Sequence, residues 1–157
     1  MGKVKIGQKI PLFKLLNQDG KLVDIANYVG KPIVIYFYPK DDTPGCTKEA
    51  CTFRDGYERF SHAGVHVFGI SADSVESHKS FGQKYSLPYD LLSDKNNKVR
   101  NLFGVPADLF GFIPGRVTYV VDNDGIVRHI INNQLNPVKH VEESLQEIEK
   151  FGQLKND

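Results

Sequence analysis

The residue pattern points to an α/β sandwich: a central mixed sheet, an N-terminal hairpin and flanking helices. Two features carry that reading. In the middle of the chain, short β-branched and aromatic runs alternate with stretches of helical period, the arrangement that gives parallel strands joined by crossover helices. On either side of that middle lies a pair of apolar segments around Asp-Gly, a hairpin turn signal: "NQDG" at 17–20 and "DNDG" at 122–125.

The elements follow in order. Leu12–Leu16 and Lys21–Ile25 form the first hairpin. Ile33–Tyr38 is an unbroken β-branched and aromatic run, which predicts a strand buried on both faces, and Pro39 ends it. From about Cys46 to Phe60 the period becomes helical. Val65–Ile70 reads as a strand. The stretch "SADSVESHKSFGQKY" reads as a helix, with Asp73 as N-cap and Glu76 at capping-box spacing. Tyr89–Leu92 predicts a short strand and Asn96–Phe103 a short helix. Arg116–Val121 and Ile126–Ile131 make the second hairpin. Asn136 as N-cap and Pro137 at the first helical position open a last helix, with Val138, Val141, Leu145 and Ile148 on one stripe. No repeat or linker divides the chain, so one domain over residues 1–157 is expected. Strand, helix and hairpin in this order make a sandwich of thioredoxin-like type.

Composition narrows the function classes. At 157 residues the chain is long enough for one real core. A net charge of +1 gives no nucleic-acid footprint. The longest apolar run is far too short to cross a membrane. The N-terminal "MGKVKIGQKIP" has no apolar signal segment, which predicts a cytoplasmic protein, or a plastid one if a transit peptide has been removed. Two cysteines without an export signal read as reduced thiols or a working redox pair. The five histidines, His62, His66, His78, His129 and His140, show no ligand spacing to the cysteines, so a zinc site is not expected.

Both cysteines lie in "YPKDDTPGCTKEAC", five positions apart. On a helical wheel Ala50, Phe53, Tyr57 and Phe60 fall within about 40° of Cys46, the core-facing stripe, while Cys51 lies about 140° away on the polar face. Their α-carbons in a regular helix are roughly 8.6 Å apart, whereas a disulfide needs about 4.4–6.8 Å. The pair bonds only if the helix unwinds. Thr47, Cys51 and Thr52 are mediocre helix formers and Gly56 a poor one, so the spacing suits a switch rather than a staple. Cys46 stands in the first helical turn, where free N–H groups and the helix dipole favour a thiolate. Thr43 brings a hydroxyl to the same place, and Pro44-Gly45 allows the backbone a close approach. Arg116 opens a later strand, from which it can reach a crevice at a helix N-terminus. Glu49, one turn beyond Cys46, either orients Arg116 or Thr43 or is solvated. Tyr36, Phe37 and Tyr38 read as core.

Pro39-x-x-x-Thr43-x-x-Cys46 resembles the peroxiredoxin active-site motif. "YFYPKDDTPGCTKEACTFRD" is similar to the peroxiredoxin Q, or bacterioferritin comigratory protein, subfamily, and "FGVPADLFGFIPGRVTYVVD" and "NNQLNPVKHVEESL" to its cyanobacterial and plant branch. The resemblance runs from Gly7 to about Ile148. It implies a thioredoxin-like fold and a thiol peroxidase of antioxidant defence, acting on hydrogen peroxide and organic hydroperoxides. It implies Cys46 as the peroxidatic cysteine, Cys51 as the resolving cysteine, Thr43 and Arg116 as the groups polarising the peroxide, and Pro39 as a shield of the sulfur. It further implies a Cys46–Cys51 disulfide reduced by thioredoxin or a similar dithiol, with no metal or organic cofactor. An intramolecular disulfide needs no second subunit, so a monomer is expected. A non-catalytic redox switch is the competing reading; it needs the two thiols but neither Thr43 nor Arg116.

Overall fold

The computed structural model describes residues 3–108 and 113–155. The four residues "LFGF", 109–112, inside the segment that carries the plant-branch resemblance, lie outside this description. In chain order the elements are β1 (Lys14–Leu16), β2 (Leu22–Asp24), β3 (Ile33–Phe37), α1 (Pro44–Asp55), α2 (Tyr57–His62), β4 (His66–Ser71) and α3 (Val75–Lys84). Then come β5 (Asp90–Ser93), α4 (Lys98–Phe103), β6 (Ala107–Asp108), β7 (Ile113–Pro114), β8 (Val117–Val121), β9 (Val127–Asn132) and α5 (Pro137–Lys155).

Seven strands join in the order β2-β1-β5-β4-β3-β8-β9. β3, β4 and β5 run parallel, while β8 pairs antiparallel to β3 and β9 to β8. The sheet is therefore mixed, as expected of a thioredoxin-like sandwich. β3 has the most apolar sequence because it is covered on both sides. Val34, Tyr36 and Tyr38 face a core shared with α1, α2, α3 and α5, while Ile33, Ile35 and Phe37 face a second core with Val99 and Phe103 of α4. Tyr36, Phe37 and Tyr38 are all core residues. Among the described residues no helix is long and apolar enough to cross a membrane.

Two local expectations are corrected. The helical stretch 46–60 starts earlier, with Pro44 at its first position, and breaks at Gly56, which separates α1 from α2. A glycine there is the weakest point of the helix, and its N–H closes back on the Thr52 carbonyl. The N-cap of α3 is Ser74, not Asp73: the Ser74 hydroxyl accepts from the Ser77 N–H. Asp73 is drawn away by tertiary partners, accepting from the Asp41 N–H and the Ser71 hydroxyl. Asn136 does cap α5, accepting from the Lys139 N–H.

Candidate active site

The site forms where the C-terminal end of β3 hands over to the first turn of α1. Cys46 is 2% exposed and packs with Ala50 and Phe53 on the stripe that the wheel assigned to the core. Cys51 is half-buried on the other side of α1, and both thiols are free. The intact helix thus holds the sulfurs on different faces.

Arg116 stands one residue before β8 and is 3% exposed. Its guanidinium makes three contacts: Nη2 to Cys46 Sγ at 3.4 Å, Nη1 to Glu49 Oε1 at 2.7 Å, and Nε to the Gln134 carbonyl at 3.4 Å. Burial works against its charge, but Glu49 and Cys46 beside it raise it above the ordinary arginine value. The cation is thus fixed against the sulfur. Gly45 makes the approach possible: a Cβ at that position would lie 3.0 Å from Arg116 Nη2.

Glu49 is fully buried and not solvated. Its Oε1 orients Arg116; its Oε2 has no hydrogen-bond partner among the described residues and lies 3.6 Å from His140 Nδ1. His140 Nε2 faces the Asn133 carbonyl at 2.7 Å and therefore carries the proton, so Nδ1 accepts from the Thr118 hydroxyl at 2.7 Å. Burial pulls His140 down to about 4, so it stays neutral at physiological pH. Burial also pushes Glu49 from 4.5 up to about 8, against the pull of Arg116.

A stability consequence follows from Glu49. Its folded value lies above its unfolded one, so between pH 4.5 and about 8 the native chain keeps a proton that the unfolded chain has released. Stability from this group is complete below the lower value and is lost as pH rises through the window, at up to about 1.4 kcal/mol per pH unit. Glu49→Gln keeps an acceptor for Arg116 and places an N–H toward His140. Its unfolding free energy, measured in denaturant across that window, is expected to lack this slope. A variant curve parallel to the wild type would refute the assignment.

The loop before α1 is held from below. Tyr38 and Ser77 donate to the two oxygens of Asp41, and His78 Nδ1 lies 2.7 Å from Asp41 Oδ2. His78 Nε2 meets the Leu92 carbonyl at 3.0 Å. Asp41, Asp73 and His78 are close enough to hold an ion. Both Asp41 oxygens are already engaged by protein donors, however, so the cluster is a tie between loop and α3 rather than a ligand set. Asp42 adopts φ +58°, a left-handed conformation tolerated by aspartate, and its carboxylate takes bonds from Lys84 and Tyr85. Thr43 caps α1 by its extended backbone alone; its hydroxyl donates to the Lys40 carbonyl at 2.9 Å. The structure therefore points the Thr43 proton at the loop, with the oxygen left to accept. Pro39, half-buried, lies in the same loop.

Arg100 escaped the sequence reading. It is 6% exposed on α4 and bridges the Tyr38 and Gly115 carbonyls, at 3.1 and 2.8 Å. It ties the end of β3 to the residue before Arg116, setting the two halves of the site in register. Burial lowers it from the ordinary arginine value, with Asp94, Tyr119 and Cys46 acting in the other direction. An arginine between Val99 and Phe103 on one short helix was its only signal. For His140 the signal was its four-residue spacing from Ser144, both fully buried, beside the α5 stripe.

What this arrangement can do is nucleophilic sulfur chemistry: a shielded thiol, one fixed cation, helix N–H groups and a second thiol a helical turn and a half away. Comparisons agree with that chemistry. Residues 6–130 match the family model described as AhpC/TSA. The chain is 58% identical over 146 residues to "Peroxiredoxin Q, chloroplastic" of Suaeda salsa, an alignment covering 93% of this chain and 68% of that protein. Among solved structures it is similar to peroxidoxin BcpB of Mycobacterium tuberculosis, with TM-score 0.86, 33% identity, and 94% and 97% of the two chains covered. It is also similar to the Xanthomonas campestris bacterioferritin comigratory protein, described by its alkyl peroxide reduction activity, with TM-score 0.81, 27% identity, and 90% and 97% covered.

Proposed function

We propose, on the premise that this chain belongs to the AhpC/TSA family and within it to the peroxiredoxin Q thiol peroxidases, that Cys46 is the peroxidatic sulfur and Cys51 the resolving one. The observation that carries this reading is the guanidinium of Arg116, bonded at once to Cys46 Sγ and to buried Glu49. A redox switch without catalysis has no use for that fixed cation.

The steps follow from the residues. The Cys46 thiolate attacks the terminal oxygen of a hydroperoxide; an S–O bond forms, the O–O bond breaks, and its electron pair leaves on the other oxygen. Arg116 and the N–H groups at the start of α1 stabilise that charge, and the departing oxygen takes a proton to give water or an alcohol. Thr43, whose oxygen is free to accept, orients the O–H of the entering hydroperoxide. Pro39 keeps bulk water from the sulfur. Cys51 then attacks the sulfenic sulfur, forming the disulfide and releasing water. An external dithiol restores both thiols by exchange, and we infer thioredoxin in that role. The alkyl peroxide activity described for the Xanthomonas protein supports organic hydroperoxides, beside hydrogen peroxide, as substrates. The chloroplastic description of the Suaeda relative supports a plastid rather than a cytoplasmic location. We read residues 1–157 as one domain acting as a monomer.

Cys51→Ser tests the assignment of the pair. Treated with one equivalent of peroxide, the wild type is expected to lose both free thiols and gain one intramolecular disulfide by intact mass and peptide mapping. The variant reacts once and stops at the sulfenic acid, and its thioredoxin-coupled turnover falls about 10²-fold or more. Wild-type turnover in Cys51→Ser removes the resolving role. Sedimentation of the same samples should give a monomer in both redox states; a dimer in both removes that part of the reading.

A further inference from the structure

Tyr89 lies just before β5, 4% exposed, with its ring against Tyr36, Phe53 of α1 and Tyr57 of α2. Its hydroxyl oxygen is 2.8 Å from the Tyr36 hydroxyl and 2.8 Å from the carbonyl of Ala50. A carbonyl only accepts, so Tyr89 donates to Ala50 and Tyr36 donates to Tyr89. Burial raises both tyrosines well above the ordinary phenol value, which keeps them donors at any physiological pH. The sheet is built to let this chain of bonds through. Gly69 of β4 pairs with Tyr36, and a Cβ there would lie 2.7 Å from the Tyr36 ring and 2.8 Å from its hydroxyl. Ala50 is the residue before Cys51, inside the turn and a half that separates the two sulfurs. The peroxide chemistry described above uses none of these groups.

We propose that the Tyr36–Tyr89–Ala50 hydrogen-bond chain is a clamp on α1 that sets how fast the helix unwinds for closure of the Cys46–Cys51 disulfide. The proposal rests on the reading of Cys51 as the resolving cysteine. Closure must bring the α-carbons from roughly 8.6 Å in the helix to about 4.4–6.8 Å. The backbone between them has to leave its helical path, and the Ala50 carbonyl leaves with it. Tyr89, held in the core by its ring contacts, then loses its acceptor while its ring stays buried. Arg54 Nη1, bonded to the Tyr85 carbonyl at 2.7 Å, holds the next turn of α1 to the same side of the molecule.

The clamp decides a partition. The sulfenic acid of Cys46 is either attacked by the Cys51 thiol, forming the S–S bond and expelling the hydroxyl as water, or takes a second oxygen from another hydroperoxide, giving a sulfinic acid and water or an alcohol. Slow unwinding favours the second outcome at high peroxide.

Tyr89→Phe keeps the ring and removes the donor, and Tyr36→Phe/Tyr89→Phe also avoids leaving the Tyr36 hydroxyl unpaired. Rapid quench after a peroxide pulse, with thiol alkylation and intact mass, reads each step. Disulfide closure is expected to run about tenfold faster in both variants, the size of one buried hydrogen bond left unmade. The peroxide dose giving half sulfinic acid should rise by a similar factor, while sulfenic acid formation stays within about twofold of wild type. If the single variant folds poorly, the double variant carries the test. Closure at the wild-type rate, or slower, in a folded variant overturns the clamp while leaving Cys51 in its role. A wild type that forms sulfenic acid but no intramolecular disulfide overturns both.

Discussion

Cys46→Ser is expected to abolish peroxidase turnover, a fall of about 10³-fold or more in thioredoxin-coupled peroxide consumption. The hydroxyl of serine fits the space of the thiol, so the core stripe of Cys46, Ala50 and Phe53 should survive and thermal unfolding should move little. The loss is then chemical. Serine under Arg116 has the same neighbours but a far weaker nucleophile than sulfur, and no sulfur to carry an extra oxygen. Coupled consumption of NADPH with thioredoxin and a hydroperoxide measures it, alongside Cys51→Ser. The two variants separate the steps: the first never reacts, the second reacts once. Turnover by Cys46→Ser at the wild-type rate would leave the thiol peroxidase without its assigned nucleophile.

Arg116→Lys is the second large effect. Lysine keeps the charge but presents a compact ammonium in place of a planar fork. The guanidinium bonds the Cys46 sulfur, Glu49 Oε1 and the Gln134 carbonyl from three nitrogens, an arrangement one ammonium cannot reproduce. The second-order rate with peroxide is expected to fall about 10²-fold, the usual effect of removing one aligned donor to developing charge. Competition kinetics against a reference peroxidase measure that rate directly. Arg116→Met goes further, leaving the protonated Glu49 buried without the partner of its Oε1, and should cost about 1–3 kcal/mol of stability, the usual penalty of an unsatisfied buried polar group. A rate within about threefold of wild type in a folded Arg116→Lys would mean that charge alone, not the fork, serves the reaction.

The residues that the sequence made legible are those governed by local period. β3 announced itself by six consecutive apolar or aromatic residues, because a strand covered on both faces has no polar side. Cys46 and Cys51 were assigned to opposite faces of one helix, and their burial agrees. Asn136 and Pro137 marked the start of α5 through chemistry confined to one turn. The failures have one cause. Asp73 satisfied a local capping pattern but is claimed by Asp41 and Ser71, and Ser74 takes the cap instead. Glu49 looked as ready to be solvated as to be used, since a carboxylate beside an apolar stripe has no period of its own. Arg100 and His78 are buried polar side chains whose partners lie on other elements.

From the sequence alone came the sheet, its crossover helices, the pair of cysteines proposed to react and the reason their thiols stay apart: five residues of helix separate the two sulfurs. These rest on periods of two and 3.6 residues, on turn chemistry and on one specific motif, all written within short windows. The tertiary structure decided which charges meet. Cys46 and Glu49 come from α1, Arg116 from the edge of β8 and His140 from α5, some 24 to 94 positions apart along the chain counted from Arg116 to His140 and from Cys46 to His140. Their orientation, and the protonation of Glu49 and His140, are set by burial and contact, which exist only once β8 and α5 have packed against α1. The same holds for Tyr89, whose hydroxyl meets Ala50 of α1 and the Tyr36 hydroxyl of β3, the latter in space that Gly69 of β4 leaves open.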